Sequence, residues 1–310
     1  METRVYKTVG ECAITLDVYP IERPRPTPGV VRVHGGALIS GGRELMPAVL
    51  PELCAAAGFT LVSIDYRLAP ETLLPEILED LADAVDWVRG QGADEFGIAP
   101  DRLGICGHSA GGYLTLVAGY WVQPRPRVLV SHAGYGDIVG EWYTRPDPFY
   151  RSTVPMISAQ DAYLGVGGPP VAEVAVRDGR ERFYLYCRLQ GIWPREVLGL
   201  DPDREPVAFH RYCPERNVGA DYPPTLLIHG TADTDVPYQR SVDMAAALRE
   251  AGIAHELLSI PGGPHSFARP VTADDLRAAT PSAAAAALHR TIEFLAGHLK
   301  DDEGRGETGS

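Results

Sequence analysis

The sequence predicts an α/β fold: a mostly parallel central sheet with helices on both faces and one inserted lid or cap. Three observations carry this. Short apolar runs rich in Val, Ile and Leu alternate with longer segments of helical spacing, which places parallel strands between covering helices. A glycine-flanked serine, Ser109, stands between one such strand and one such helix. The alternation is lost over one long stretch, residues 134–222, and then resumes.

In chain order, Ile14, Leu16 and Val18 alternate as in a half-buried strand. Pro24, Pro26 and Pro28 punctuate the chain before residues 29–34, which read as a buried strand. Residues 45–57 are apolar and helix-compatible, with Gly58 a natural stop. Residues 59–64 form the next strand. Residues 75–88 show helical spacing in Ile77, Leu78, Leu81, Val85 and Val88, with Pro75 at the start and acids in the first turns. Residues 102–106 read as a strand, 109–120 as a helix and 128–131 as a strand. After the break come a strand at 225–229, a helix at 238–250, a strand at 255–260 and an alanine-rich helix at 283–299. The polar tail 301–310 has the composition of a disordered segment.

The broken stretch is rich in aromatics and prolines, among them Trp142, Tyr143, Tyr150, Phe183, Tyr184 and Trp193. It is too long for a structureless loop. We read residues 1–133 and 223–300 as the core and 134–222 as a partly helical insertion, whose aromatics either line a pocket or form a small core of their own.

The 310 residues carry a formal net charge of -13. This argues against nucleic acid or an anionic membrane as the main partner, since both select for basic surface. The five cysteines, Cys12, Cys54, Cys106, Cys187 and Cys213, include no CxxC pair, so neither a disulfide framework nor a zinc site is expected. No apolar h-region follows the first residues, and no apolar run approaches the roughly 18 residues of a membrane span. The expectation is a cytoplasmic protein without metal or cofactor.

Gly107-His108-Ser109-Ala110-Gly111 matches G-x-S-x-G. The pattern alone is weak, but here it follows an apolar strand and opens an apolar helix, the context of a nucleophile elbow. Such a serine sits on a sharp, strained turn that needs small neighbours, and the helix start presents N–H groups to a developing oxyanion. His34-Gly35-Gly36-Ala37 also follows a buried strand, and its backbone can add N–H donors to that of Ala110. The His34 side chain is expected to be structural. A hydroxyl nucleophile needs a base, and the base an orienting acid. In chain order after the serine, residues 229–237 offer Asp233, with Asp235 as rival, and residues 262–267 offer His265. His108 adjoins the nucleophile but is expected to point away from substrate, and the remaining histidines are expected to be packed or on the surface.

Together with Asp65-Tyr66-Arg67-Leu68-Ala69-Pro70-Glu71, these motifs resemble the α/β-hydrolase esterases of the hormone-sensitive-lipase-like group, and their carbohydrate-esterase and prolyl-oligopeptidase-like relatives. The resemblance implies the α/β-hydrolase fold, Ser109, Asp233 and His265 as the catalytic residues, and Gly36, Ala37 and Ala110 as oxyanion donors. It implies cleavage of a small-molecule ester with no cofactor. The sequence departs from the group in having Ala37 where a third loop glycine is usual, and in a short N-terminal segment. Arg67 and Glu71 are expected to brace their loop. An amidase, formamidase or small-peptide hydrolase would use the same residues. A non-catalytic small-molecule receptor usually lacks one of them. Apolar surface on the insertion could also mediate a homodimer.

Overall fold

The computed structural model describes residues 1–22, 26–173 and 179–300; the expected disordered tail at 301–310 lies outside them. Eight strands form one sheet: β1 (Glu2–Val9), β2 (Cys12–Tyr19), β3 (Thr27–Val33), β4 (Thr60–Ile64), β5 (Ile98–His108), β6 (Val128–His132), β7 (Thr225–Gly230) and β8 (His255–Ile260). Their spatial order is β1-β2-β4-β3-β5-β6-β7-β8. The pairs β1/β2 and β2/β4 are antiparallel, and all others are parallel.

The central strands read as unbroken apolar runs because helices cover both their faces. On one face lie α2 (Leu74–Arg89), α3 (Gln91–Phe96), α4 (Ala110–Trp121) and α11 (Gln239–Glu250), around a core that includes Val31, Val33, Ile105, Leu114 and Leu248. On the other lie α1 (Leu50–Ala57) and α13 (Ala283–Leu299), the latter preceded by α12 (Ala273–Arg277), over Val30, Leu61, Val128, Leu288 and Leu295.

Several boundaries differ from the sequence expectation. β1 is unannounced because Glu2, Arg4 and Lys7 break any apolar alternation and none of its residues is fully buried. It is a charged edge strand, the type that resists further pairing. α1 starts at Leu50 rather than residue 45, because Pro51 suits the first helical turn while Pro47 would interrupt a longer helix. β5 begins at Ile98, four residues before the expected start, across the exposed pair Pro100 and Asp101.

Between β6 and β7 the chain makes no strand among its described residues. It forms short helices: α5 (Glu141–Thr144), α6 (Pro148–Thr153), α7 (Ala159–Ala162), α8 (Arg180–Gln190), α9 (Trp193–Leu198) and α10 (Pro206–Phe209). Its buried aromatics do not make a separate core. Tyr135, Tyr143, Phe183, Trp193 and Phe209 belong to the same apolar cluster as α2 and α4. Tyr143 stacks between Trp142 and Trp193, at ring separations of 3.6 and 4.2 Å.

Candidate active site

Ser109 occupies the turn between β5 and α4 at φ 58°, ψ −124°. A side chain rarely adopts this conformation, and holding it there costs of order 1–3 kcal/mol. The turn is fixed on both sides. The Ser109 N–H donates to the His132 carbonyl, and the Ser109 carbonyl accepts from Tyr113 N–H, each at 2.9 Å. The flanking glycines are sterically required. A Cβ on Gly107 would lie 2.0 Å from the Gly111 carbonyl oxygen, and one on Gly111 would lie 2.2 Å from that of Val33.

The loop after β3 runs through three residues of positive φ: Gly36 at 118°, Ala37 at 57° and Leu38 at 62°. Ala37 thus adopts the left-handed region despite its Cβ. Neighbours hold the loop through its carbonyls. Gly36 O accepts from the N–H groups of Ile39 and Ser40 at 2.9 Å. Ala37 O accepts from Trp193 Nε1 at 2.9 Å, Leu38 O from Ala69 N–H at 2.7 Å and Ile39 O from Arg180 Nε at 2.6 Å. Among the described residues, the N–H groups of Gly36, Ala37 and Ala110 have no hydrogen-bond acceptor.

His265 and Asp233 meet between the loops after β8 and β7, with Nδ1 2.7 Å from Oδ2. Asp233 Oδ1 accepts from the N–H groups of Asp235 and Val236 at 2.9 Å, and Oδ2 also lies 3.0 Å from His229 Nε2. Burial works to raise the Asp233 pKa, but the hydrogen bonds of His229 and His265 outweigh it and hold the carboxyl well below its usual range. Burial likewise works to lower the His265 pKa, but the charge of Asp235 and the hydrogen bond to Asp233 leave it raised.

Ser109 and His265 line one cavity of about 280 Å³, with Gly36, Ala37, Tyr150 and Tyr184. Among the described residues, no hydrogen bond joins Ser109 Oγ to the imidazole. His265 Nε2 instead lies 3.4 Å from Asp235 Oδ2. The two candidate acids therefore sit on opposite nitrogens of the same ring. His108 does not simply point away: its ring lies 4.7 Å from that of His265, and its Nε2 lies 2.9 Å from the His265 carbonyl oxygen. His34 is fully buried and stacked on Tyr66 at 4.2 Å, and burial lowers its pKa to about 4.

Arg180 and Arg188, which the sequence does not single out, surround this site together with Tyr150 and Tyr184 of the aromatic insertion. On α8, Arg180, Tyr184 and Arg188 recur at every fourth position, a helical stripe of polar side chains facing inward. Arg180 donates to both oxygens of Glu71, at 2.9 and 2.5 Å, and to the carbonyls of Ala69 and Ile39, at 2.6 Å each. Glu71 therefore braces the Gly36–Ile39 loop through Arg180, while Arg67 pairs with Asp80 on α2. Asp235 Oδ1 accepts from Tyr150 Oη at 2.7 Å, from Tyr184 Oη and from Arg188 Nη1 at 3.1 Å. Arg188 is 1% exposed, also pairs with Asp147, and lies over the ring of Tyr143 at 4.9 Å. Four of the five cysteines are buried and all are unpaired. Among the described residues, no group of three His, Cys, Asp or Glu side chains is placed to hold a metal ion, and no helix is long and apolar enough to cross a membrane.

Residues 30–162 match a family described by the alpha/beta hydrolase fold, and residues 180–302 match the prolyl oligopeptidase family. Esterase LipC of Mycobacterium tuberculosis is 29% identical over 246 residues, covering 78% of this chain and 54% of that protein. The non-reducing polyketide synthase pkbA of Emericella nidulans is 26% identical over 324 residues, covering 86% of this chain and 13% of that protein. The chain thus spans about half the length of the first relative and a small part of the second. Among solved structures, a protein of unknown function from Staphylococcus aureus superposes with a TM-score of 0.78 at 19% identity, covering 97% of this chain and all of that one. An alpha/beta hydrolase superfamily protein from Enterococcus faecalis gives 0.71 at 24%, covering 96% and 98%. A butyrate-bound thermophilic esterase from Thermogutta terrifontis gives 0.66 at 23%, covering 98% and 96%. At these identities the structural likeness concerns the fold.

Proposed function

We propose that this chain, which has the α/β-hydrolase fold, is a serine hydrolase that cleaves carboxylic esters of small molecules. One observation carries the reading. A serine held at φ 58° opens into the same cavity as a histidine whose far nitrogen is bound by a buried carboxylate, and as the loop of Gly36 and Ala37. The relationship to a protein named as an esterase supports it. The unpaired cysteines support a cytoplasmic setting.

Ser109 Oγ attacks the ester carbonyl while His265 Nε2 takes its proton, turning from Asp235 to reach it. Asp233 keeps Nδ1 protonated and stabilises the imidazolium that forms. The N–H groups of Gly36, Ala37 and Ala110 receive the oxyanion, each contributing about 3 kcal/mol to transition-state stabilisation. The imidazolium then protonates the departing alkoxide, and a water activated by the same imidazole hydrolyses the acyl-enzyme.

Ser109→Ala tests this directly. Turnover of p-nitrophenyl acetate is expected to fall by at least about a thousandfold, and labelling by a fluorophosphonate to disappear, with the circular dichroism spectrum unchanged. Retention of either activity in the folded variant overturns the proposal.

A further inference from the structure

On the sheet face that packs against α1 and α13, polar side chains stand side by side at the ends of neighbouring strands. Arg32 of β3 lies opposite Cys106 of β5, and His108 of β5 opposite His132 of β6. With Thr291 of α13, these residues line a second cavity of about 40 Å³ behind the Ser109 turn. Leu45, His108, Ser266 and Arg269 line both this cavity and the larger one in front.

Charge sets this cavity apart. Arg32 is 4% exposed, and its one hydrogen bond runs from Nη1 to the Val33 carbonyl. No carboxylate among the described residues pairs with it, in a chain with 41 acidic and 28 basic side chains. The other deeply buried arginines all have acid partners: Arg67 with Asp80, Arg180 with Glu71 and Arg188 with Asp147. Burial pulls the Arg32 pKa down, and the groups that oppose this are the thiols of Cys106 and Cys54 and the phenol of Tyr66, which carry no charge at neutral pH. Arg269, on the exposed rim, likewise pairs with no acid among the described residues, and no partner engages the Ser266 hydroxyl. No acidic side chain lines the cavity.

A deeply buried guanidinium without a counter-ion is costly, and an anion entering the cavity it lines offsets that cost. The space limits the ligand. About 40 Å³ holds roughly three water-sized spheres at ~10–15 Å³ each, which suits an anion of one to four heavy atoms. We propose that this cavity is a binding site for a small monoanion, a halide or a carboxylate of formate or acetate size, held by Arg32 with Ser266 and Arg269 at the entrance. The inference stands on the unpaired arginine and the cavity, and does not rest on the hydrolase reading.

Thermal unfolding under bromide, acetate and bulky gluconate at one ionic strength tests it, with Arg32→Met as the uncharged comparison. Raising bromide or acetate from about 1 to about 200 mM in place of gluconate is expected to lift the wild-type Tm by a few degrees relative to the variant. A response to bromide alone assigns a halide site, and a response to acetate alone a carboxylate site. Equal responses in the two proteins overturn the proposal. Should Arg32→Met fail to fold, crystals of the unaltered protein grown in sodium bromide decide it. An anomalous peak beside the Arg32 guanidinium, or carboxylate density there in crystals grown in sodium acetate, is expected, and a cavity holding only water in both crystals overturns the site.

Discussion

The two sides of the main cavity are held by different physics. The Ser109 side is a matter of backbone sterics: β3, β5 and α4 approach so closely that only glycine fits at 107 and 111. The His265 side depends on charge. Asp233 and Asp235 approach opposite nitrogens of the ring, and Asp235 is tied through Tyr150, Tyr184 and Arg188 to the segment between β6 and β7. A steric arrangement breaks all at once when an atom is added, whereas a charged network loosens in steps as partners are removed. Substitutions on the two sides should therefore differ in kind.

The largest effect should come from the steric side. Gly111→Ala puts a Cβ 2.2 and 2.4 Å from the carbonyl oxygens of Val33 and His34, so α4 must part from β3. We expect a loss of about 4 kcal/mol or more, read as failure to accumulate folded protein or as a urea midpoint far below wild type. A near-normal midpoint would show that this packing yields more easily than the distances imply.

On the charged side, Asp233→Asn should fold and lose activity. The amide cannot stabilise the imidazolium and favours the wrong tautomer, an effect of about 10⁴ in kcat for this arrangement of groups. Steady-state kinetics of the folded variant measure it, and a loss no greater than that of Asp235→Asn would transfer the orienting role to Asp235. A smaller catalytic effect is expected at Arg180, which touches no substrate-facing atom. Arg180→Met strands a buried Glu71 and frees the carbonyls of Ala69 and Ile39. Stability should fall by about 3–5 kcal/mol. Because the loop carrying Gly36 and Ala37 is then unpinned, kcat at a temperature where the variant is folded should fall by about tenfold, with little change in KM. Unchanged kcat would mean that the loop holds its shape without this brace.

The same division decides what was legible in the sequence. Steric requirements leave short, local signatures: Gly107 and Gly111 around Ser109, and Gly35-Gly36 after β3. The parallel core strands were legible because burial on both faces makes them continuously apolar, while β1 was not, because an edge strand needs no buried side. Asp233 and His265 could be proposed from their order along the chain. The partners of Asp235 could not, because Tyr150, Tyr184 and Arg188 lie 47 to 85 residues from it and nothing local in an aromatic-rich segment says which polar atom each will meet. The i, i+4, i+8 stripe of Arg180, Tyr184 and Arg188 was the one readable trace, and it marks an inward face without naming its target. Arg32 was hidden differently: a single arginine within a valine run reads as strand, and only the surrounding structure reveals that no acid answers it.

Asp235 allows the finest test of the charged side, because its smallest expected effect is also its most specific. Its carboxylate is the first of the groups that raise the His265 pKa. The base must be neutral to accept the Ser109 proton, so activity falls as pH drops through that raised value. The acid limb of the kcat/KM profile should accordingly sit above the ordinary histidine pKa of about 6.5. Asp235→Asn removes the negative charge and leaves Asp233 in place, so the limb should move to lower pH while the plateau changes by less than about tenfold. The amide oxygen can still accept from one tyrosine, and Arg188 keeps Asp147, so the fold should lose no more than about 1–3 kcal/mol. Tyr150→Phe separates charge from architecture: it deletes one hydrogen bond to Asp235 Oδ1 but leaves the carboxylate facing Nε2, so it should disturb stability without carrying the limb downward. If the limb moves equally in both variants, the position of the segment between β6 and β7, rather than the charge of Asp235, sets the basicity of His265.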